Sequence, residues 1–234
     1  MIIYTNGCSH TAGHCMKRAQ TWPMIVMKSI IGSQPYSTNN VPNSIKKDSH
    51  VLYNQAAHGA GNDYICHLSL ETILALIHSG NKPDYVIIQW SGPNRRMHSD
   101  VNGKNVFVNP WDNSHLGVKF EPMASQHTLH YMFILQEVLK KHNIEYWFFN
   151  YMELSKLVKK SNVYNEIDLT RILDFNSNIT MFDGLIDFFK LNEMNCDEGG
   201  HPNELGNYFI GKHIVDKLGY DCIDYSEFYN TLFI

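Results

Sequence analysis

Ser9, in Gly7-Cys8-Ser9-His10-Thr11, directly follows the apolar run Met1-Ile2-Ile3-Tyr4-Thr5. A short strand therefore ends, turns on a glycine and presents a hydroxyl at once, at the strand edge where α/β sheets build their sites. Three further segments carry complementary groups in order. They are Asn54-Gln55-Ala56-Ala57-His58-Gly59-Ala60-Gly61-Asn62, then Trp90-Ser91-Gly92-Pro93-Asn94, then Asp197-Glu198-Gly199-Gly200-His201-Pro202-Asn203. A hydroxyl, a glycine N–H, an asparagine amide and a late histidine behind carboxylates are the parts of acyl transfer to serine: nucleophile, oxyanion donors and general base. The hydroxyl is a poor nucleophile near neutral pH and needs a base that takes its proton, and a neutral imidazole suits that task.

Thirteen histidines compete for the role of base. His10 and His14 flank the serine, and His58 adjoins Gly59. His201 is favoured, because carboxylates precede it and Pro202-Asn203 fix its loop at a helix start. The oxyanion donors assigned are the Ser9 and Gly59 N–H groups and the Asn94 side-chain amide, with Gly61 the alternative to Gly59. Arg95 and Arg96 follow the asparagine; they either bind a substrate anion or pair with protein groups, and structural pairing is slightly favoured. Trp90, Trp111 and Tyr131 offer stacking faces for a substrate, against the commoner use of such rings in a core. Cys8, His10, His14 and Cys15 are soft ligands close in sequence, and His127 and His130 lie one helical turn apart, yet neither set has a paired zinc spacing. No metal and no cofactor is expected. Gly59-Ala60-Gly61 opens like a dinucleotide fingerprint, but Tyr64 stands where the third glycine belongs, and no Walker loop occurs.

The four segments together resemble the blocks of the SGNH (GDSL-like) hydrolase family. Ser9 matches the serine of the first block, with Cys8 in place of the usual Asp. Gly59 matches the glycine of the second, Gly92-Pro93-Asn94 the Gly-x-Asn of the third, with Arg95 where Asp is common, and His201 the histidine of the last. The resemblance implies a carboxylate three residues before that histidine, which is Glu198; Asp197, one residue further back, is the other candidate. Trp22-Pro23 and the Trp leading into the third block resemble the branch found in phages and marine bacteria. The resemblance implies a serine esterase acting through an acyl-enzyme on a small acyl ester, O-acetyl or an acylated carbohydrate. An acyltransferase with the same triad stays open. So does a weakly active or inactive structural or host-binding virion protein on the same fold.

The elements that must position these groups alternate in type. Strands are expected at residues 1–5, 51–54, 84–89 and 144–150, with a short fifth at 179–182. Helices are expected at about 21–31, 62–79, 123–142 and 204–218, with one or two more within 151–175. Residues 33–50 read as a loop. Asn102-Gly103 between β-prone residues predicts a hairpin inside an insertion at 97–122 beside the site. Alternation of this kind means a parallel sheet covered on both faces, a single-domain three-layer α/β sandwich over residues 1–234. A flavodoxin-like sheet of about five strands is what the resemblance implies.

With 234 residues, one domain with a sizeable core is expected, and a hydrophobic share of 44% against 18% charged fits a globular protein. A formal net charge of −4 leaves no basic footprint for nucleic acid. No apolar run is long enough to span a bilayer, so no membrane partner is expected. The first residues lack the pattern of a signal peptide, and five cysteines without paired spacing suggest reduced thiols. A cytoplasmic setting is therefore expected, or a virion if the source is a phage. The aromatic and aliphatic tail at Tyr229, Leu232 and Phe233 suits packing back or a homo-oligomer contact.

Overall fold

The computed structural model describes residues 1–31, 44–47, 50–99, 105–108, 121–152, 154–173, 175, 185–197 and 200–226. Its centre is the sheet β2-β3-β1-β4-β7. The strands are β1 (Ile2–Asn6), β2 (Ser44–Lys47), β3 (His50–Asn54), β4 (Tyr85–Trp90) and β7 (Glu145–Asn150). Four of them run parallel, in the order β3-β1-β4-β7, and β2 pairs antiparallel with β3 at the edge. The parallel part has the flavodoxin-like order expected. The fifth strand is a correction: β2 lies inside the stretch 33–50 read as a loop, whereas 179–182 lies outside the described residues. Ser44-Ile45-Lys46-Lys47 has a single apolar residue, too little periodicity to announce an edge strand.

Side-chain alternation along the central strands builds two cores. Tyr4, Val86, Ile88, Trp90, Tyr146 and Phe148 face one side, against Ile65 and Ile73 of α3 (Asn62–His78) and Leu129, Met132, Leu135 and Leu139 of α4 (Glu121–Lys141). Ile3, Leu52, Ile87 and Phe149 face the other. There they meet Trp22, Met24, Val26 and Met27 of α2 (Trp22–Ile31) and Ile210, Ile214 and Val215 of α7 (Glu204–Leu218). Burial on both faces explains why β4 reads as an unbroken apolar run. Between β7 and α7 the described residues form short helical pieces: 3-10 turns at Lys156–Lys160 and Leu169–Arg171, α5 (Asn162–Glu166) and α6 (Ile186–Leu191).

β1 runs into α1 (Ser9–Ala12), a single turn closed by Gly13 in the left-handed conformation, φ 85°. α3 starts behind Gly61, and α7 starts behind Asn203, whose Oδ1 accepts the Gly206 N–H at 3.0 Å. The hairpin read from Asn102-Gly103 is present as β5 (Arg96–Ser99) paired antiparallel with β6 (Asn105–Val108), its turn lying outside the described residues. Among the described residues, no helix is long and apolar enough to cross a membrane.

Candidate active site

The nucleophile turn is held by the neighbouring strand. Gln89, fully buried near the end of β4, accepts the Cys8 N–H at 3.2 Å and the Thr11 hydroxyl at 3.0 Å through one oxygen, and its amide nitrogen donates to the Trp90 carbonyl. A Cβ on Gly7 would stand 2.4 Å from Thr11 Oγ1 and 2.8 Å from Gln89 Oε1, so the glycine is required by close approach. Asn6 continues the tie on the other side: its Oδ1 accepts the Gly7 N–H at 2.8 Å and its Nδ2 donates to Ser69 Oγ at 2.9 Å. Ser9 is thereby fixed as the first residue of α1, where opening N–H groups have no intrahelical acceptor.

The histidine loop reaches the serine from the far end of the chain. Ser9 Oγ lies 2.9 Å from His201 Nε2, and His201 Nδ1 lies 2.7 Å from Asp197 Oδ2. A carboxylate only accepts, so Nδ1 carries the proton and Nε2 is left to accept from the serine. The second Asp197 oxygen takes the His201 backbone N–H at 3.0 Å. One carboxylate therefore closes the loop and orients the ring together.

The preference for Glu198 is corrected at this point. The ring nitrogen meets Asp197, four residues back, and Glu198 lies outside the described residues. The extra residue is accommodated by Gly200 at φ 77°, a left-handed turn that a side chain resists. A bridge pairs Asn195 with Pro202, and Cys196 N–H donates to the His201 carbonyl at 2.8 Å, so the loop sets its own register.

His10 is the residue whose part was missed. Considered above as a rival base, it is 2% exposed, with Nδ1 2.9 Å from Cys8 Sγ. Its ring stacks on Tyr151 at 3.6 Å between centroids and on His201 at 4.5 Å, making the floor under the histidine. Tyr151 sends its hydroxyl to the Gly200 carbonyl and so anchors the loop from below. Only the position of Tyr151, directly behind β7, hinted at this. Cys8 is fully buried, where a small weakly polar thiol is tolerated better than an unpaired carboxylate. His14 also lies against His201, at 4.3 Å between centroids, and His58 meets His14 edge-on at 5.6 Å.

Burial dominates the electrostatics. It pushes the His10 imidazole far below its ordinary range, assisted by the Arg95 charge. Burial also lowers His201, with His10 adding to the effect, while the Asp197 hydrogen bond and charge work in the opposite direction. Partial burial would raise the Asp197 carboxyl, but its bonds from the His201 backbone and ring outweigh that and hold it below the usual range. The result is a neutral base beside an ionised carboxylate at neutral pH.

The remaining candidates follow β3 and β4, the strands on either side of β1. Gly59 sits at φ 77° in the loop behind β3, and Ala57 N–H in that loop donates to the Gly7 carbonyl at 3.1 Å. Gly61 packs directly on the next block, because a Cβ there would stand 2.5 Å from the Arg95 carbonyl oxygen. Asn62 joins the same two blocks: its Oδ1 accepts the Ser91 N–H at 2.7 Å and its Nδ2 donates to the Ser91 carbonyl at 3.0 Å. Asn94 lines a cavity of about 340 Å³ with Pro93, Ser125, Met152, Leu154, Ser155 and Lys156, and its Oδ1 is buried without a hydrogen-bond partner among the described residues.

Substrate contacts fare differently. Trp90 is fully buried and packs edge-on against Phe148, so it belongs to the core and offers no stacking face. Trp111 lies outside the described residues. Arg95 donates to Ser91 Oγ at 3.2 Å, and Arg96 meets His127 Nδ1 at 2.9 Å, so both guanidinium groups contact protein partners.

No protein-family profile and no curated protein matches the chain. Solved structures do. The psychrotrophic esterase EstA from Pseudoalteromonas sp., solved inhibited by monoethylphosphonate, superposes with a TM-score of 0.54 at 12% identity, over 93% of this chain and 96% of its own. The structure of TesA superposes with the same TM-score and identity, over 93% of this chain and 98% of its own. The likeness shows the fold alone, a parallel sheet between helices.

Proposed function

We propose that this chain is a serine esterase of the SGNH type. The observation that carries the reading is the continuous line Ser9 Oγ–His201 Nε2–His201 Nδ1–Asp197 Oδ2, with steps of 2.9 and 2.7 Å. Ser9 attacks the carbonyl carbon of an ester, and His201 Nε2 takes the hydroxyl proton as the C–O bond forms. Asp197 holds the ring in the tautomer that leaves Nε2 free and offsets the charge on the imidazolium. The oxyanion develops against the Ser9 N–H, the Gly59 N–H and the Asn94 amide, which the parallel order β3-β1-β4 brings to one edge of the sheet. His201 then returns the proton to the leaving alcohol. In the second half it draws a proton from water, which attacks the acyl-serine and releases the acid.

The substrate in this reading is a small acyl ester, an O-acetyl group on a carbohydrate being the favoured case. An esterase of the same fold has been inhibited by a phosphonate. A fluorophosphonate probe, which needs an activated serine and no knowledge of the substrate, is therefore the test. Wild type is expected to become covalently labelled and Ser9→Ala to stay unlabelled. Failure of folded wild type to label would end the esterase reading and leave an inert scaffold on this fold.

A further inference from the structure

Three metal-binding side chains meet on the outer side of the triad. The His14 ring nitrogen, the Cys15 thiol and an Asp197 oxygen all lie within 4.8 Å of one another. His14 Nε2 is 3.7 Å from Asp197 Oδ2. A fourth group is at hand: Cys196, next to Asp197 in the chain, places its sulfur 3.9 Å from the His14 carbonyl. Cys15 is held at φ 64°, an uncommon conformation for a residue with a side chain, and both thiols are exposed. The sequence did not reveal this group, because Cys15 and Asp197 lie on loops from opposite ends of the chain.

We propose that His14, Cys15 and Asp197, with Cys196 completing the set, bind a thiol-preferring divalent cation such as Zn²⁺, and that its binding switches the esterase off. The regulatory half rests on the function proposed above. Zinc takes sulfur at about 2.3 Å and nitrogen or oxygen at about 2.0–2.2 Å, which sets tetrahedral ligand pairs roughly 3.4–3.6 Å apart. The His14–Asp197 separation is already close to that, and the third ligand needs a shift on the order of an ångström. On binding, the Cys15 and Cys196 thiols each lose a proton to solvent and coordinate as thiolates, with no change of oxidation state.

The inhibition follows from a shared atom. Asp197 Oδ2, which faces His14, is the oxygen that accepts the His201 Nδ1 proton. A cation on that oxygen competes with the N–H for its lone pairs. It also sets positive charge beside an imidazole that must itself become positive during attack, which raises the barrier.

The test uses the full chain, stripped of metal and kept reduced under inert gas. Titration with Co²⁺ is expected to give a thiolate-to-cobalt charge-transfer band in wild type that Cys15→Ser loses. Zn²⁺ is expected to abolish hydrolysis of 4-nitrophenyl acetate, and EDTA to restore it. Cys15→Ser should keep the metal-free activity and need about tenfold more Zn²⁺ or beyond for the same inhibition. The proposal is overturned by absence of the band in wild type or by equal inhibition of the two proteins. A band that depends on Cys15, in a protein with no esterase activity under any condition, would keep the metal site and remove the catalytic reading.

Discussion

The two loops that meet at the candidate site are built on opposite plans. The nucleophile turn is an extension of the sheet: Gln89 of β4 and Asn6 of β1 hold it, and its residues Cys8 to Thr11 are buried. The histidine loop is an extension of itself. Its ties run between Asn195 and Pro202, Cys196 and His201, and Asp197 and His201, with Tyr151 below as an outside anchor. A turn wired to strands inherits their register, whereas a loop closed on its own backbone can gain or lose a residue and still deliver its side chain. That difference explains why Ser9 was readable by position and the partner of His201 was not.

The largest effect expected breaks the pair that joins the loops. Ser9→Ala should lower turnover by about 10⁴-fold or more with the fold unchanged, measured as kcat on a chromogenic ester beside a circular dichroism spectrum. Retained turnover would detach the nucleophile turn from the chemistry.

Next is the comparison inside the histidine loop. Asp197→Asn should lower kcat by about 10⁴-fold, because an amide can hold the wrong tautomer. Glu198→Gln should leave kcat within the same order of magnitude. The reverse ranking in steady-state kinetics would restore the shorter spacing.

Two substitutions set the plans against each other by stability. Gln89→Leu orphans two buried donors of the nucleophile turn and should cost about 1–3 kcal/mol for each, read by urea unfolding. Gly200→Ala forces a side chain into a left-handed turn, with a Cβ 2.4 Å from Ile186 Cγ1. It should cost about 1–3 kcal/mol and lower kcat as well, because the displaced segment carries His201. If Gly200→Ala left both unchanged, the loop would not be setting its own register.

The smallest effect is on pH. A buried imidazole resists protonation, so kcat/KM should rise with pH to a plateau whose midpoint lies below the ordinary histidine value of about 6.5. A midpoint above that value would mean that the Asp197 charge outweighs burial.

Much of the architecture was legible because it rests on periodicity. The strand at β4, the helices α2, α3, α4 and α7, and the Asn-Gly hairpin all follow from apolar spacing and turn chemistry. The edge strand β2 did not, because pairing along one side only needs little apolar pattern. At the site, Ser9 and His201 were legible from their flanking residues. The roles of His10, Tyr151 and Gln89 were not, because stacking and cross-strand bonds join residues with no sequence relation. Trp90 was misread because a strand-end aromatic points into the core or the cleft according to a register that spacing alone leaves open.

One contact bears on the way the protein comes into being. The Trp22 N–H at the start of α2 donates to Asn207 of α7 at 3.0 Å, and the same asparagine binds the carbonyls of Pro202 and Asn203. Asn207 leaves the ribosome long after Trp22, so α2 gains its final cap, and Ser9 meets His201, late in synthesis. At about 5–20 residues per second, translation leaves α2 waiting on the order of ten seconds or more for that partner. Through that interval Ser9 lacks His201, so the Ser9–His201–Asp197 line forms only as a late step of synthesis.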